Sequence, residues 1–182
     1  RSRAGLDAGQ LSPSADLSSA GQLDQFVPDG APPPERRAYQ DLTVRLGLAG
    51  RGVRDGWELS LQSSAVGMSA KEQRLRFGER QGDAPALDLA DYQVQLRRGP
   101  LRATVGNLSV GQNRFLVAGF GSRGLSAGVQ LNRSVAIEAA AVHGTNVVGW
   151  DNLLGVSNGK HRMLSTGVAL ELVPSRPGAV HV

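Results

Sequence analysis

What this chain can fold into is set by strict alternation of apolar and polar residues in short, repeated runs. The clearest case is Leu125 to Val142, LSAGVQLNRSVAIEAAAV. Leu125, Ala127, Val129 and Leu131 alternate with Ser126, Gly128, Gln130 and Asn132. After Arg133-Ser134 the pattern resumes, Val135, Ile137, Ala139 and Ala141 against Ala136, Glu138, Ala140 and Val142. A period of two puts one set on each face of a β-strand, so this stretch reads as two strands joined by a tight turn.

The same design recurs. Leu42, Val44, Leu46 and Leu48 alternate with polar or small residues, and Trp57, Leu59 and Leu61 follow a Gly-rich connection over 49–56. Ala90, Tyr92, Val94 and Leu96 turn at Arg98-Gly99-Pro100 into Leu101, Ala103 and Val105. A last run, Leu164 to Leu172, precedes Pro174. Seven strands are expected over 39–182, with short turns near 49–56, 98–100 and 133–134. Long connections are expected at 64–86, 107–124 and 143–162. In the first of these, Leu75 and Phe77 alternate with arginines and predict a strand extension or small hairpin. In an antiparallel meander, alternate connections fall at opposite ends of the sheet. All short turns then lie at one end and all long loops at the other.

Residues 1–38 differ in texture, rich in Ser, Gly, Ala, Asp and Pro and carrying Pro32-Pro33-Pro34. They predict a disordered linker. The chain begins at Arg1 without Met and reads as an excerpt or processed product.

Composition removes several classes. With no cysteine there are no disulfides, thiolate metal sites or cysteine nucleophiles. The net charge of +4 is mostly arginine scattered through turns and loops. It lacks the clustering with stacking aromatics that nucleic-acid binding favours, so no nucleic-acid partner is expected. No apolar run approaches the ~20 residues of a membrane helix, which leaves a strand-built membrane protein open.

The stretch from Thr104 to Leu131, TVGNLSVGQNRFLVAGFGSRGLSAGVQL, resembles porin-like outer-membrane proteins. Its carriers are Val105-Gly106-Asn107, Gly111-Gln112-Asn113-Arg114 and Ser122-Arg123-Gly124-Leu125. The resemblance covers about residues 87 to 173 and implies an outer-membrane pore or surface-anchored barrel, with no catalytic residue.

The expected fold is therefore all-β, an antiparallel meander forming part of a transmembrane β-barrel behind an N-terminal linker. The unequal connections favour a barrel, and the scarcity of aromatics opposes it. The expected setting is the bacterial outer membrane or cell envelope, with passive transport, export or anchoring as the role. Partners are the lipid bilayer, other envelope or surface proteins, or a second copy. The alternative is a soluble β-sandwich, an adhesion module binding a glycan or a protein. Selectivity candidates are Arg114, Arg123, Asp151, Lys160 and His161 in or beside the long loops, and Arg102, Glu138 and Glu171 on the strands. The competing reading is that these are ordinary solvated charges.

No enzyme, cofactor or metal is expected. GxSxG is absent, GFGSRG lacks a phosphate-loop register, and the order of Asp151, Ser157 and His161 matches no known triad. His143, His161 and His181 have no metal-ligand spacing. The apolar segment VVGWDNLLG is read as a loop turn packed in the barrel mouth, on a neighbour, or on itself.

Overall fold

A computed structural model describes residues 9–22, 39–110, 120–132, 134–145, 147–156 and 161–170. Eight strands pair in sequence order as one antiparallel sheet that does not close on itself. They are β1 (Gln10–Gln22), β2 (Tyr39–Arg54), β3 (Trp57–Met68), β4 (Leu87–Arg98), β5 (Leu101–Val110), β6 (Phe120–Gln130), β7 (Val135–His143) and β8 (Arg162–Leu170).

The alternating runs form strands where expected, and the register carries their alternation across the sheet. Directly paired residues share a face. Leu17↔Val44, Leu59↔Leu96, Val94↔Val105, Ala103↔Ala127, Val129↔Ile137 and Ile137↔Val168 therefore lie in one apolar face spanning all eight strands. By the same register, Ser14, Arg45, Ser60, Gln95, Thr104 and Ser126 belong to the opposite face. The apolar face is bounded along the strands. At the short-turn end it gives way to Arg54 and Arg98. At the other end it gives way to Tyr92, Asn107, Arg123, His143 and Arg162.

Two expectations about the first two strands need correction. Residues 10–22, read as linker, form β1, paired with β2 from Gln10↔Arg51 to Gln22↔Tyr39. The Gly-rich 49–56 stretch is mostly strand, because β2 continues to Arg54 and only Asp55-Gly56 turns. Both turn residues have positive φ, 51° and 77°, as a two-residue hairpin with primed-turn geometry demands. The other short connections are Gly99-Pro100 and the one between Gln130 and Val135. Long connections follow β1, β3, β5 and β7, all at the opposite end.

Strands are also staggered in one sense. The paired row starting at Gln10, the first residue of β1, runs through Arg51, Ser60, Gln95, Thr104, Ser126 and Ala140 to Ser165. It thus climbs from the turn edge at β1 to the middle of β8. Such a one-way drift tilts the strands relative to the turn edge, as in the wall of a barrel.

Little of the molecule is core. The buried hydrophobic residues are Ala70, Ala84, Leu89, Leu108 and Val142. Leu11, Leu17, Leu46, Leu59, Leu101, Leu125, Leu164 and Val168 stand exposed on the apolar face. Among the described residues no second sheet covers that face.

The β3–β4 connection contains a 3-10 turn at Lys71–Gln73, the short helix α1 (Phe77–Arg80) and a 3-10 turn at Gln81–Asp83. The Leu75/Phe77 alternation therefore forms neither strand nor hairpin. The connection is anchored at its base, where Met68 N–H donates to Ala86 C=O at 2.8 Å and Leu42 N–H donates to Ser69 Oγ at 2.8 Å.

Candidate functional site: the polar face and the loop-end cluster

The polar face carries charges in a cross-strand row. Glu58 pairs with Arg97, Arg97 with Arg102, Arg102 with Gly128, and Gly128 with Glu138. Gly128 has no side chain to intervene, so Arg102 reaches Glu138 across β6 at 3.3 Å. Both side chains are nearly half exposed, so the pair contributes little to stability. Arg51 holds Glu58 at 2.7 Å. Toward the loops a hollow of about 300 Å³ is lined by Gln10, Ser12, Arg51, Ser60, Gln62 and Gln93. Its lining reaches from β1 to β4.

The second cluster fills an opening in the sheet. Main-chain pairing of β4 with β5 stops at Gln93↔Gly106, whereas β3–β4 and β5–β6 pairing continues toward the loops. Nearby, the β3–β4 register shifts between Ser64 and Ala65, with Ala90 of β4 as the extra residue. Gly106 has φ 115°, and a Cβ there would strike the Tyr92 carbonyl. In the opening, Asn107 substitutes for main chain. Its Oδ1 accepts from Tyr92 N–H at 3.1 Å, and its carbonyl accepts from Gln93 Nε2 at 3.1 Å.

The β7–β8 connection completes the filling. Gly149 N–H donates to Leu89 C=O at 2.7 Å. Arg123, fully buried, donates from Nη1 to Gly149 C=O, from Nη2 to Leu89 C=O at 3.3 Å and from Nε to Asn107 Oδ1 at 3.4 Å. Its guanidinium lies 5.4 Å from the Tyr92 ring centroid, within cation–π range, and the Tyr92 hydroxyl donates to Leu153 C=O. Gly155, at φ 71°, packs on the Arg123 backbone where no Cβ fits.

Next to this plug, Arg76 bridges two carboxylates. Nε donates to buried Asp88 at 2.5 Å and Nη1 to Asp151 at 2.6 Å. Arg80 also binds Asp151. The Arg76 hydrogen bond holds the Asp151 carboxyl below its ordinary range against a smaller opposing effect of burial, with the Arg76 and Arg80 charges adding to it. Asp151 in turn raises the Arg76 guanidinium. Two connections 75 residues apart in sequence are thereby fastened together.

Of the expected selectivity residues, Arg123 and Asp151 meet at this plug, and Arg102 and Glu138 meet on the polar face. His161 lies elsewhere, its ring 5.9 Å from His143. Arg114, Lys160 and Glu171 lie outside the described residues. Arg123 and Asp151 fasten main chain and loop rather than line an opening. Sequence reading missed Arg76, Arg80, Asp88, Tyr92 and Asn107 as parts of one cluster. The available signal was Asp88, a charge between apolar Leu87 and Leu89 at the start of a strand. Trp150, Leu153 and Leu154 are exposed, and the loop is held through its backbone and the Asp151 carboxylate. Neither assembly sets a nucleophile against a base. What the polar face offers is fixed charge and hydrogen-bonding capacity across adjacent strands.

Comparison with known proteins finds no matching family model, and no curated protein or solved structure with significant similarity.

Proposed function

We propose that this sheet is a wall segment of a transmembrane β-barrel of the outer-membrane type. Its role is passive transport, export or envelope anchoring, with selectivity set by polar-face charges. The observation that carries this reading is the apolar face, continuous over eight strands and ended by polar residues at both edges, with the hollow on the opposite side. A soluble sandwich hides its apolar face under a second layer, and among the described residues no second layer covers this one.

Three further features support it. Every strand has nine or more residues, enough for a tilted crossing of the hydrocarbon layer, which takes ~9–11. The stagger supplies tilt, and short turns opposite long loops match barrel construction. No helix among the described residues is long and apolar enough to cross a membrane. On this reading the two outer strands pair with further strands of the same chain or of another copy.

Fractionation tests it. The native protein is expected in outer membranes and requires detergent for extraction. A chain that stays soluble and monomeric without detergent overturns the reading. Conductance steps in a planar bilayer would distinguish a pore from an anchor.

A further inference from the structure

The apolar face ends at the short-turn side in an unusual row. Arg54 of β2 pairs directly with Trp57 of β3, and Trp57 with Arg98 of β4. All three stand in the apolar face. The Arg98 guanidinium lies 5.0 Å from the Trp57 ring centroid. Beyond them toward the loops the same face continues as Gly52, Leu59 and Leu96.

An arginine within an apolar face is costly unless its head reaches water or an anion, so this row marks the edge of the apolar layer. Indole is the side chain suited to that edge, apolar in body with one polar N–H. Strand spacing of ~4.8 Å places the two arginines about 10 Å apart, one on each side of the indole. Asp55 lies 3.6 Å from Arg54 Nε and is the acidic group of the turn, leaving the row with a net positive charge. Glu58 and Arg97, adjacent in sequence, belong to the opposite face and do not offset it.

We propose that Arg54, Trp57 and Arg98 form a binding row for the phosphate groups of anionic phospholipid at the short-turn edge of the sheet. This rests on the membrane reading above. Guanidinium forks present paired donors to phosphate oxygens, and Trp57 seats the row at headgroup depth.

Flotation of the refolded full chain with vesicles tests it, using phosphatidylcholine alone and phosphatidylcholine with added phosphatidylglycerol. At about 1 kcal/mol per basic residue near an anionic surface, and with Asp55 offsetting part, partition onto anionic vesicles is expected to be roughly tenfold tighter. The Arg54→Gln/Arg98→Gln variant is expected to lose that preference while still binding neutral vesicles, which also shows that it folds. If wild type shows no preference, or the variant keeps it, the lipid-binding row is overturned and the membrane reading stands. If the wild type floats with neither vesicle, both fail.

Discussion

Asp151 shows how one side chain sets the state of two connections. It is exposed, yet it accepts from both Arg76 and Arg80, and its carboxyl is held below the ordinary value of 3.8. A carboxylate with a depressed native value stabilises the docked form above its unfolded value, and loses that contribution as pH falls through the native one. The β7–β8 connection is therefore expected to loosen in acid, below about pH 4. Hydrogen exchange over 147–156 at falling pH measures this. Asp151→Asn is expected to raise exchange at neutral pH and flatten the pH response. Asp88 contacts the same guanidinium from within the sheet. Sequence reading found Asp151 and Arg123 because loop charges attract attention. It missed Arg76 and Asp88 because nothing local brings residues so far apart together.

Among elements, strands with a strong apolar period were readable from sequence, and strands built of small residues were not. β1 alternates Leu11, Pro13, Ala15 and Leu17 against Gln10, Ser12, Ser14 and Asp16, but its serines and proline imitate a linker. Proline is tolerated there because β1 is an outer strand of the described sheet. The end of β2 was hidden by Gly47, Gly50 and Gly52. The first two lie against Ser14 and Leu11 of β1, where a side chain would collide. Divergence of β4 from β5 has no sequence period at all and depends on Gly106. Gly106→Val places a branched side chain at φ 115° against the Tyr92 carbonyl. It is expected to destabilise the chain by about 2–3 kcal/mol, measured by urea unfolding in detergent or lipid. The largest increase in hydrogen exchange is expected at 87–92 and 107–110.

At the scale of the molecule, the two faces assign opposite tolerances to the same substitution. Leu46→Arg and Ala127→Arg place a charge in the middle of the apolar face, at a cost of about 2–4 kcal/mol if that face meets lipid. Gln62→Arg and Ser126→Arg, on the other face, are expected to cost less than about 1 kcal/mol. Refolding yield into vesicles, read by protease protection, ranks the four. Equal losses on both faces would contradict the lipid assignment. The all-β meander and its unequal ends were evident from alternation and connection lengths. β1 and the opening between β4 and β5 were not, because β1 is built of small and polar residues and the opening depends on contacts between distant connections.

That opening also bears on the order of assembly. A meander can zip hairpin by hairpin as the chain is made, since each strand finds its partner next to it. The loop side of the β4–β5 seam is different. Asn107 bridges part of it, but Leu89 and Arg123 wait for Gly149, and Tyr92 waits for Leu153, 61 residues later. Until Gly149 arrives, the main-chain oxygen of Leu89 lacks its 2.7 Å donor and has Arg123 Nη2 within 3.3 Å. The hydrogen bonding of the seam is thus complete only with the β7–β8 connection in place, which couples the first five strands to the hairpins that follow.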